Sequence, residues 1–231
     1  MDFSGWEKLS LLDFDEHIST TLFVAGCDFR CPFCHNSSLV LAPGKAPRIP
    51  WQEIMNYLSK RKGVLDAVCI SGGEPTMMED LKEKIRDIKS LGYEVKLDTN
   101  GSRPEVLQDL LDKKLIDYVA MDIKNSKEKY AMTSGVLLEL SKVEKSIDIL
   151  KSSQIPFEFR TTAILEYHSL RDFEEIGKWI KGAPKYFIQR YIDNENCIRH
   201  GLHELPKEKA LEAKAILEKN IGFVDLRGYS V

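Results

Sequence analysis

Residues 93–113, YEVKLDTNGSRPEVLQDLLDK, contain one complete unit of strand, turn and helix. The apolar run from Tyr93 to Asp98 predicts a short buried strand, because short apolar runs bounded by turn residues are typical of strands in a sheet core. The Asn-Gly pair that follows is typical of a turn. Pro104 suits the first position of a helix, which we expect over Glu105 to Lys113.

Strand-then-helix units recur on both sides of this stretch. The further strands that we expect are Thr20 to Ala25, Ala67 to Ser71, Tyr118 to Asp122, Phe157 to Ala163, Tyr186 to Arg190 and Phe223 to Leu226. The further helices are Trp51 to Arg61, Leu81 to Leu91, Leu138 to Ser152, Leu170 to Ile180 and Lys207 to Lys219. Apolar strands that alternate with helices pair in parallel through right-handed crossovers. The pattern predicts an α/β fold with a partial (β/α)6 TIM-like barrel, and a flat doubly wound sheet is the alternative.

The composition is that of a globular protein with a packed core. The chain has 231 residues, of which 43% are hydrophobic and 30% charged, and its formal net charge is −3. We expect one domain over residues 1–231, with a core barrel at about 19–190 and a C-terminal helix and strand at 205–228. The charge leaves no basic footprint for nucleic acid, and no apolar run reaches the roughly 18 residues that a membrane span needs. We therefore expect a cytoplasmic protein that binds neither nucleic acid nor a membrane.

Polar residues follow the predicted strands where each strand ends. In parallel α/β folds, ligands bind at the carboxyl ends of the strands, on the loops that follow them. The motifs that fall there are Gly26-Cys27, Ser71-Gly72-Gly73-Glu74, Asp98-Thr99-Asn100-Gly101 and Asp122-Ile123-Lys124. We expect all four on one rim. The polar stretch at 125–135 is expected to lie over the same rim.

Three of the five cysteines lie within eight positions, in Gly-Cys-Asp-Phe-Arg-Cys-Pro-Phe-Cys-His-Asn at residues 26–36. The spacing C-x3-C-x2-C allows Cys27, Cys31 and Cys34 to hold three irons of a cubane cluster, which leaves the fourth iron without a protein ligand. A Cys3His zinc site would need His35 directly beside Cys34, an awkward geometry for a tetrahedron, and buried thiols are the other alternative. We predict a cluster loop at 26–48.

The C-x3-C-x2-C motif resembles the signature of radical S-adenosylmethionine (SAM) enzymes. The longer stretch from Asp13 to Asn36 resembles activases of glycyl radical enzymes, and among them it is most similar to anaerobic ribonucleoside-triphosphate reductase activating proteins. The resemblance covers most of the chain, is strongest over residues 10–125 and is thin after 165. It implies a barrel of the radical SAM type, in which a [4Fe-4S] cluster on the three cysteines cleaves SAM to methionine and a 5′-deoxyadenosyl radical. That radical would take a hydrogen from a glycine of the partner enzyme.

The same resemblance implies the SAM contacts. In the family, the Gly72-Gly73-Glu74 element binds the amino group of SAM, the Asp98-Thr99-Asn100 element lines SAM, and Lys124 would pair with its carboxylate. Arg160 lies inside an apolar strand, where an arginine needs an anion or solvent, and it aligns with a family arginine near SAM. Two further residues complete the predicted SAM site, Asn36 and Gln189.

One type of activase, the pyruvate formate-lyase activator, carries a monovalent cation. The matching positions here are Asp98, Thr99 and Asp122, with the carbonyl of Ala120. Gln189 departs from the Pro-Tyr-His run of that activator, which argues against this subtype. The resemblance also implies an electron donor such as flavodoxin or ferredoxin.

Two cysteines remain outside the cluster motif. Cys69 lies within a predicted strand and is interpreted as a small buried hydrophobe. The spacing C-x2-H-x2-H of Cys197, His200 and His203 allows a second metal, but we expect a solvent-exposed loop. Three other functions stay open. They are an activase of another glycyl radical enzyme of the pyruvate formate-lyase type, a radical SAM enzyme for a small molecule or RNA, and a non-catalytic metal-binding module.

Overall fold

The computed structural model describes residues 3–229, so the outermost residues of the predicted 1–231 domain lie outside the described part. Eight strands form one sheet in the order β1 to β8. β1 pairs antiparallel with β2, and each later strand pairs in parallel with the one before it. The strands are β1 (Phe3–Ser10), β2 (Ser19–Val24), β3 (Ala67–Gly72), β4 (Glu94–Thr99), β5 (Tyr118–Asp122), β6 (Phe157–Ala163), β7 (Lys185–Arg190) and β8 (Phe223–Arg227).

Eight α-helices connect these strands. They are α1 (Ser37–Leu41), α2 (Trp51–Lys60), α3 (Leu81–Ser90), α4 (Pro104–Asp112), α5 (Tyr130–Ser134), α6 (Leu140–Ser152), α7 (Leu170–Trp179) and α8 (Lys207–Leu217). Three short 3-10 turns lie at Pro43–Lys45, Pro75–Met77 and Lys127–Lys129. Among residues 3–229, no helix combines the length and the apolar composition needed to cross a bilayer.

The strand order decides between the two predicted architectures. A doubly wound sheet reverses its strand order at a switch point, whereas here the strands follow one another in sequence order. The predicted partial barrel is therefore confirmed, and the expected strands all form, with boundaries that shift by a residue or two. The β1 strand was not predicted. Its pairing with β2 is interrupted by register shifts, so its sequence carries no regular alternation.

The β3 strand shows how the core is built. Its residues Ala67, Val68, Cys69 and Ile70 are all fully buried, as expected for a parallel strand that is covered on both faces. The interpretation of Cys69 as a buried hydrophobe is confirmed. Helices cover the outer face of the sheet with apolar side chains such as Ile54 on α2 and Ile85 on α3.

Charged side chains close the end of the barrel opposite the candidate site. The buried carboxylate of Glu158 accepts hydrogen bonds from the Tyr118 hydroxyl at 2.9 Å and from Arg227 at 2.5 Å. Arg227 also donates to Asp15 at 2.8 Å, which joins the β1–β2 loop to the last strand. The buried ammonium of Lys96 donates to the carbonyl of Asp13. These contacts join the β1–β2 loop at one edge of the open barrel to β8 at the other edge.

Candidate active site

A cavity of about 250 Å³ opens at the carboxyl ends of the strands. It collects residues from six strands or their following loops, and every predicted site residue except Glu74 lines it. These residues are Cys27, Cys31, Cys34, Asn36, Gly72, Gly73, Asp98, Thr99, Asn100, Asp122, Lys124, Arg160 and Gln189. The prediction that these residues lie on one rim is therefore confirmed. Their contacts with a ligand stay predictions.

The three thiols lie on the loop between β2 and α1. Cys31 is buried and the other two are half-buried, while Phe29 and Phe33 between them are buried against the core. Burial raises the pKa of Cys31 to about 11 and also raises the pKa of Cys27 and Cys34. A metal that binds such thiols must displace their protons.

The donor set fits a cubane cluster better than one metal ion. Among residues 3–229, no group of three or more His, Cys, Asp or Glu side chains converges closely enough to hold a single ion. The thiolates of a cubane bind separate irons, so they need not converge on one point. His35, the predicted fourth zinc ligand, instead directs its Nε2 to the carbonyl of Ile192 at 2.7 Å and stacks on Tyr191. In this arrangement His35 does not serve as the fourth ligand of a Cys3His zinc site.

The end of β3 is pressed against the start of the cysteine loop. A Cβ atom on Gly73 would lie 1.9 Å from the carbonyl oxygen of Gly26, so no other residue fits without a backbone shift. The amides of Gly73 and Glu74 donate to the carbonyls of Val24 and Gly26 at 2.9 and 2.8 Å. The side chain of Asn36 donates to the carbonyl of Gly72 at 2.8 Å. These contacts fix the cysteine loop to the neighbouring strand.

Glu74 is fully buried and points away from the cavity. Its carboxylate accepts from the amide and hydroxyl of Thr76 at 3.1 and 2.6 Å, from the Thr99 hydroxyl at 2.8 Å and from the Asn100 amide at 2.7 Å. Burial raises the pKa of Glu74 to about 7, although these hydrogen bonds act in the opposite direction. In this structure the carboxylate holds the β4 loop in place, and the backbone of Gly72 and Gly73 faces the cavity.

Arg160 bridges two carboxylates that belong to different strands. Its Nη2 lies 3.1 Å from Oδ2 of Asp98, and its Nε lies 2.6 Å from Oδ1 of Asp122. The ammonium of Lys124 lies 2.8 Å from the other oxygen of Asp122. Burial alone would raise the pKa of Asp122, but the charges of Lys124 and Arg160 lower it to about 2. This side of the cavity holds an ionised network with two cations.

The predicted monovalent cation finds no support in this arrangement. The guanidinium of Arg160 takes the place between Asp98 and Asp122, where the cation was expected. The third predicted ligand, the hydroxyl of Thr99, donates to Glu74 instead. The physical reason is that a fixed guanidinium already supplies the positive charge that these two carboxylates need.

One oxygen of Asp98 makes no hydrogen bond among the described residues. Ser71 donates to Oδ2 at 2.9 Å, but Oδ1 is buried and finds no hydrogen bond among the described residues. The ammonium of Lys96 lies 3.8 Å from it. This oxygen is therefore balanced by the charge of Lys96 and by no hydrogen bond among the described residues.

Sequence reasoning missed the segments that brace the cysteine loop. Asp28 accepts from the side chains of Asn100 and Ser102 at 2.9 and 2.6 Å, which joins the loop to the end of β4. The amide of Arg30 donates to the carbonyl of Ser134 at 2.8 Å, so the polar stretch at 125–135 does lie over the rim. Aspartate and serine at turns give a weak signal in sequence, because they also stabilise turns locally.

The late C-x2-H-x2-H segment also packs against the cysteine loop. The predicted solvent-exposed loop is confirmed at His200 and His203, but Cys197 is buried and receives a hydrogen bond from the Tyr191 hydroxyl at 3.3 Å. The exposed rings of His200 and His203 pair with Asp193 and Glu166, at 3.6 and 2.6 Å. The three side chains therefore do not form one metal-binding group. The amides of residues 198 and 199 donate to the carbonyls of residues 34 and 32 at 3.2 and 2.8 Å, which explains the burial.

Comparison with known proteins agrees with this site. Residues 21–180 match the model of the radical SAM superfamily. Two proteins of Methanocaldococcus jannaschii, which carry the provisional name of glycyl-radical enzyme activating enzyme, are similar over most of their length. One is 34% identical over 219 residues, covering 92% of this chain and 89% of the relative. The other is 29% identical over 215 residues, covering 88% and 78%.

The fold is shared with solved structures. A domain of the pyruvate-formate lyase-activating enzyme from Bacteroides vulgatus superimposes with a TM-score of 0.58 at 16% identity, covering 71% of this chain and 99% of that domain. At this identity the likeness concerns the fold alone. The family match and the 34% identical relative identify this chain as a member of the radical SAM superfamily, enzymes that carry an iron–sulfur cluster and use S-adenosylmethionine.

Proposed function

We propose that this chain is a radical SAM activase that generates a glycyl radical on a partner enzyme, an anaerobic ribonucleoside-triphosphate reductase. In this proposal Cys27, Cys31 and Cys34 hold a [4Fe-4S] cluster. The observation that carries the proposal is that these thiols share one solvent-open cavity with the glycine edge of β3 and the charged network around Asp122. The barrel at about 19–190, the cluster loop at 26–48 and the segment 205–228 act as one domain.

The protein supplies binding and orientation around the reacting groups. When bound, the cluster supplies the electron that cleaves the sulfonium of SAM to methionine and a 5′-deoxyadenosyl radical. The backbone of Gly72 and Gly73 lines the cavity on the side of the methionine part. Lys124 offers an ammonium to its carboxylate, and the carboxylate of Asp98, which lines the cavity, accepts from a ribose hydroxyl. Gln189, at the end of β7, faces the adenine side.

The positive charge of the site comes from the chain itself. Arg160 and Lys124 together face Asp122, and Arg160 also faces Asp98. We therefore assign no monovalent cation to this site. The buried rings of Phe29 and Phe33 line the cavity beside the cysteines and limit the access of water to the cluster loop.

Exposed apolar side chains on the segments around the cavity favour a protein substrate. They are Leu41 after the cysteine loop, Met132 and Leu137 on the segment that contacts Arg30, and Ile192 beside His35. Large apolar groups exposed together are typical of interaction sites. A glycine loop of a partner enzyme has the size that an open cavity admits, and the provisional names of the two relatives agree with such a partner. A flavodoxin or ferredoxin in the cytoplasm would supply the electron.

The test is anaerobic reconstitution with iron and sulfide. We expect about four irons and four sulfides per chain, and 5′-deoxyadenosine when dithionite and SAM are added. Cys31→Ala should abolish both the binding of the cluster and the formation of 5′-deoxyadenosine. Cys69→Ala is the matched control, because Cys69 is a buried cysteine of β3 that does not line the cavity.

The partner is tested by adding an anaerobic ribonucleotide reductase and recording the electron paramagnetic resonance (EPR) spectrum. A glycyl radical doublet supports the proposal. SAM cleavage with turnover of a metabolite and no doublet would instead favour a small-molecule enzyme. Bound zinc without iron and without 5′-deoxyadenosine would establish a non-catalytic metal-binding module.

A further inference from the structure

We propose that Gly135 is a positioning residue for the cluster loop. It ends α5 in the left-handed conformation, and its backbone rests on the carbonyl group of Arg30, between two of the three cysteines. The proposal rests on the assignment of Cys27, Cys31 and Cys34 as cluster ligands. It adds that a segment about a hundred residues later in the chain sets where two of these ligands lie.

The contact between the two segments leaves no room for a side chain. A Cβ atom on Gly135 would lie 2.0 Å from the carbonyl oxygen of Arg30 and 2.6 Å from its carbonyl carbon. Real Cβ atoms stay beyond 3.0 Å from such neighbours, so any other residue must displace one backbone by about 1 Å. The amide of Arg30 donates to the carbonyl of Ser134 at 2.8 Å, which ties the same two segments together.

Arg30 links this contact to two of the cysteines. It is the last of the three residues between Cys27 and Cys31. Its guanidinium Nη1 donates back to the carbonyls of Cys27 and Phe29 at 2.6 and 2.7 Å. A shift of the Arg30 backbone therefore moves a compact turn that carries two of the thiols.

The α5 side of the contact is anchored in the core. Thr133 and Ser134 are fully buried, and Tyr130 is buried with its ring edge against Trp179. The hydroxyl of Tyr130 donates to the carbonyl of Asp122 at 3.4 Å, which links α5 to the end of β5. Because α5 is anchored in this way, we expect a bulkier residue at position 135 to displace the backbone of Arg30 in the cluster loop.

The test compares Gly135→Ala with Gly92→Ala. Gly92 also follows a helix and has a φ of +93°, against +71° for Gly135, and no described atom beyond its chain neighbours lies within 4 Å of its Cβ position. Both variants carry the backbone cost of a side chain at positive φ, and only Gly135→Ala carries the collision with Arg30. Gly135→Asn is a second variant, since asparagine tolerates the left-handed conformation and brings the same Cβ atom.

Two readouts are used. In the cluster-free protein, we expect faster hydrogen exchange at the Arg30 amide in both Gly135 variants and an unchanged rate in Gly92→Ala. In reconstituted protein, we expect an altered EPR spectrum of the reduced cluster and a SAM cleavage rate lower by about a hundredfold, as misplacement by about 1 Å can cause.

The outcomes separate this inference from the proposed function. A wild-type chain that takes up no iron–sulfur cluster overturns the proposed function, and with it the role of Gly135. A wild-type chain that holds the cluster, with wild-type exchange, EPR spectrum and cleavage rate in a folded Gly135 variant, overturns the role of Gly135 alone. If the alanine variant does not fold, the asparagine variant decides by the same measurements.

Discussion

The guanidinium of Arg160 lies beside the carboxylate of Asp122, with Nε 2.6 Å from Oδ1. The two residues are directly paired across the parallel β5–β6 ladder, so the strand register itself brings them together. The same guanidinium reaches Asp98 on β4, one strand further along the sheet. One arginine thus serves two carboxylates at the mouth of the barrel.

Replacement of Arg160 by methionine should destabilise the protein. The variant leaves Asp98 and Asp122 without the cation between them, and loss of one partner of a buried ion pair costs about 3 kcal/mol or more. Urea unfolding of the cluster-free protein measures this. The control is Arg171→Met, at an exposed arginine of α7, and equal stability of the two variants would contradict the assigned role.

Exchange of potassium for choline at constant ionic strength should leave SAM binding by the wild-type protein unchanged. The reason is that Arg160 already holds the place between the two carboxylates. Calorimetric titration of SAM into the reconstituted protein measures the affinity. In Arg160→Met we expect potassium to strengthen SAM binding. A wild-type affinity for SAM that falls without potassium would show that the protein does bind a monovalent cation at this site.

Glu74→Gln should remove a pH dependence of stability. The pKa of Glu74 is raised from the usual 4.5 to about 7 by burial, so the folded protein binds a proton that the unfolded chain releases. The stability from this proton is fully present below pH 4.5 and is lost as the pH rises through about 7. The difference between 4.5 and about 7 corresponds to roughly 3 kcal/mol.

Unfolding free energies at pH 4.5 and 7.5 check this for the cluster-free protein. Wild-type stability should fall relative to that of Glu74→Gln across this range. Glu79→Gln, at an exposed carboxylate of the same segment, should follow the wild type. Parallel pH profiles of wild type and Glu74→Gln would show that burial does not raise the pKa of this carboxyl above its value in the unfolded chain.

Gly73→Ala should destabilise the protein far more than Gly44→Ala. The new Cβ would lie 1.9 Å from the Gly26 carbonyl oxygen, whereas at Gly44 no described atom beyond its chain neighbours lies within 4 Å. Overpacking of this kind costs roughly 1–3 kcal/mol. Thermal unfolding measures the difference in stability between the two variants. Similar melting temperatures would mean that the contact between β3 and the cysteine loop has room for a side chain.

Tyr191→Leu should loosen the late segment that braces the cysteine loop. The leucine keeps apolar volume but removes the stacking on His35 and the hydroxyl bonds to Asp193 and Cys197. We expect faster hydrogen exchange at the amides of residues 198 and 199, which donate to the cysteine loop. Tyr57→Leu, at a tyrosine of α2 far from this segment, is the control. Unchanged exchange in Tyr191→Leu would show that backbone contacts alone hold the segment.

The sequence by itself determined the cysteine triad, the strand ends and the parallel α/β plan. Each of these follows from local pattern, because apolar periodicity, turn residues and short cysteine spacing act over a few residues. Strand-end reasoning together with the family resemblance named thirteen residues that line one cavity, and their ligand contacts stay predictions. Local reasoning could not find β1, whose pairing is irregular.

Only the tertiary structure decided what each polar side chain contacts. Glu74 turns inward to Thr76 and the β4 loop, Arg160 lies between two carboxylates, and Cys197 is buried against the cysteine loop. The position of a residue at a strand end decides at which edge of the sheet its backbone lies. The partner of its side chain depends on the register of neighbouring strands and on loops distant in sequence. For charged and hydrogen-bonding groups, which act over a few ångströms, that register decides the chemistry of the site.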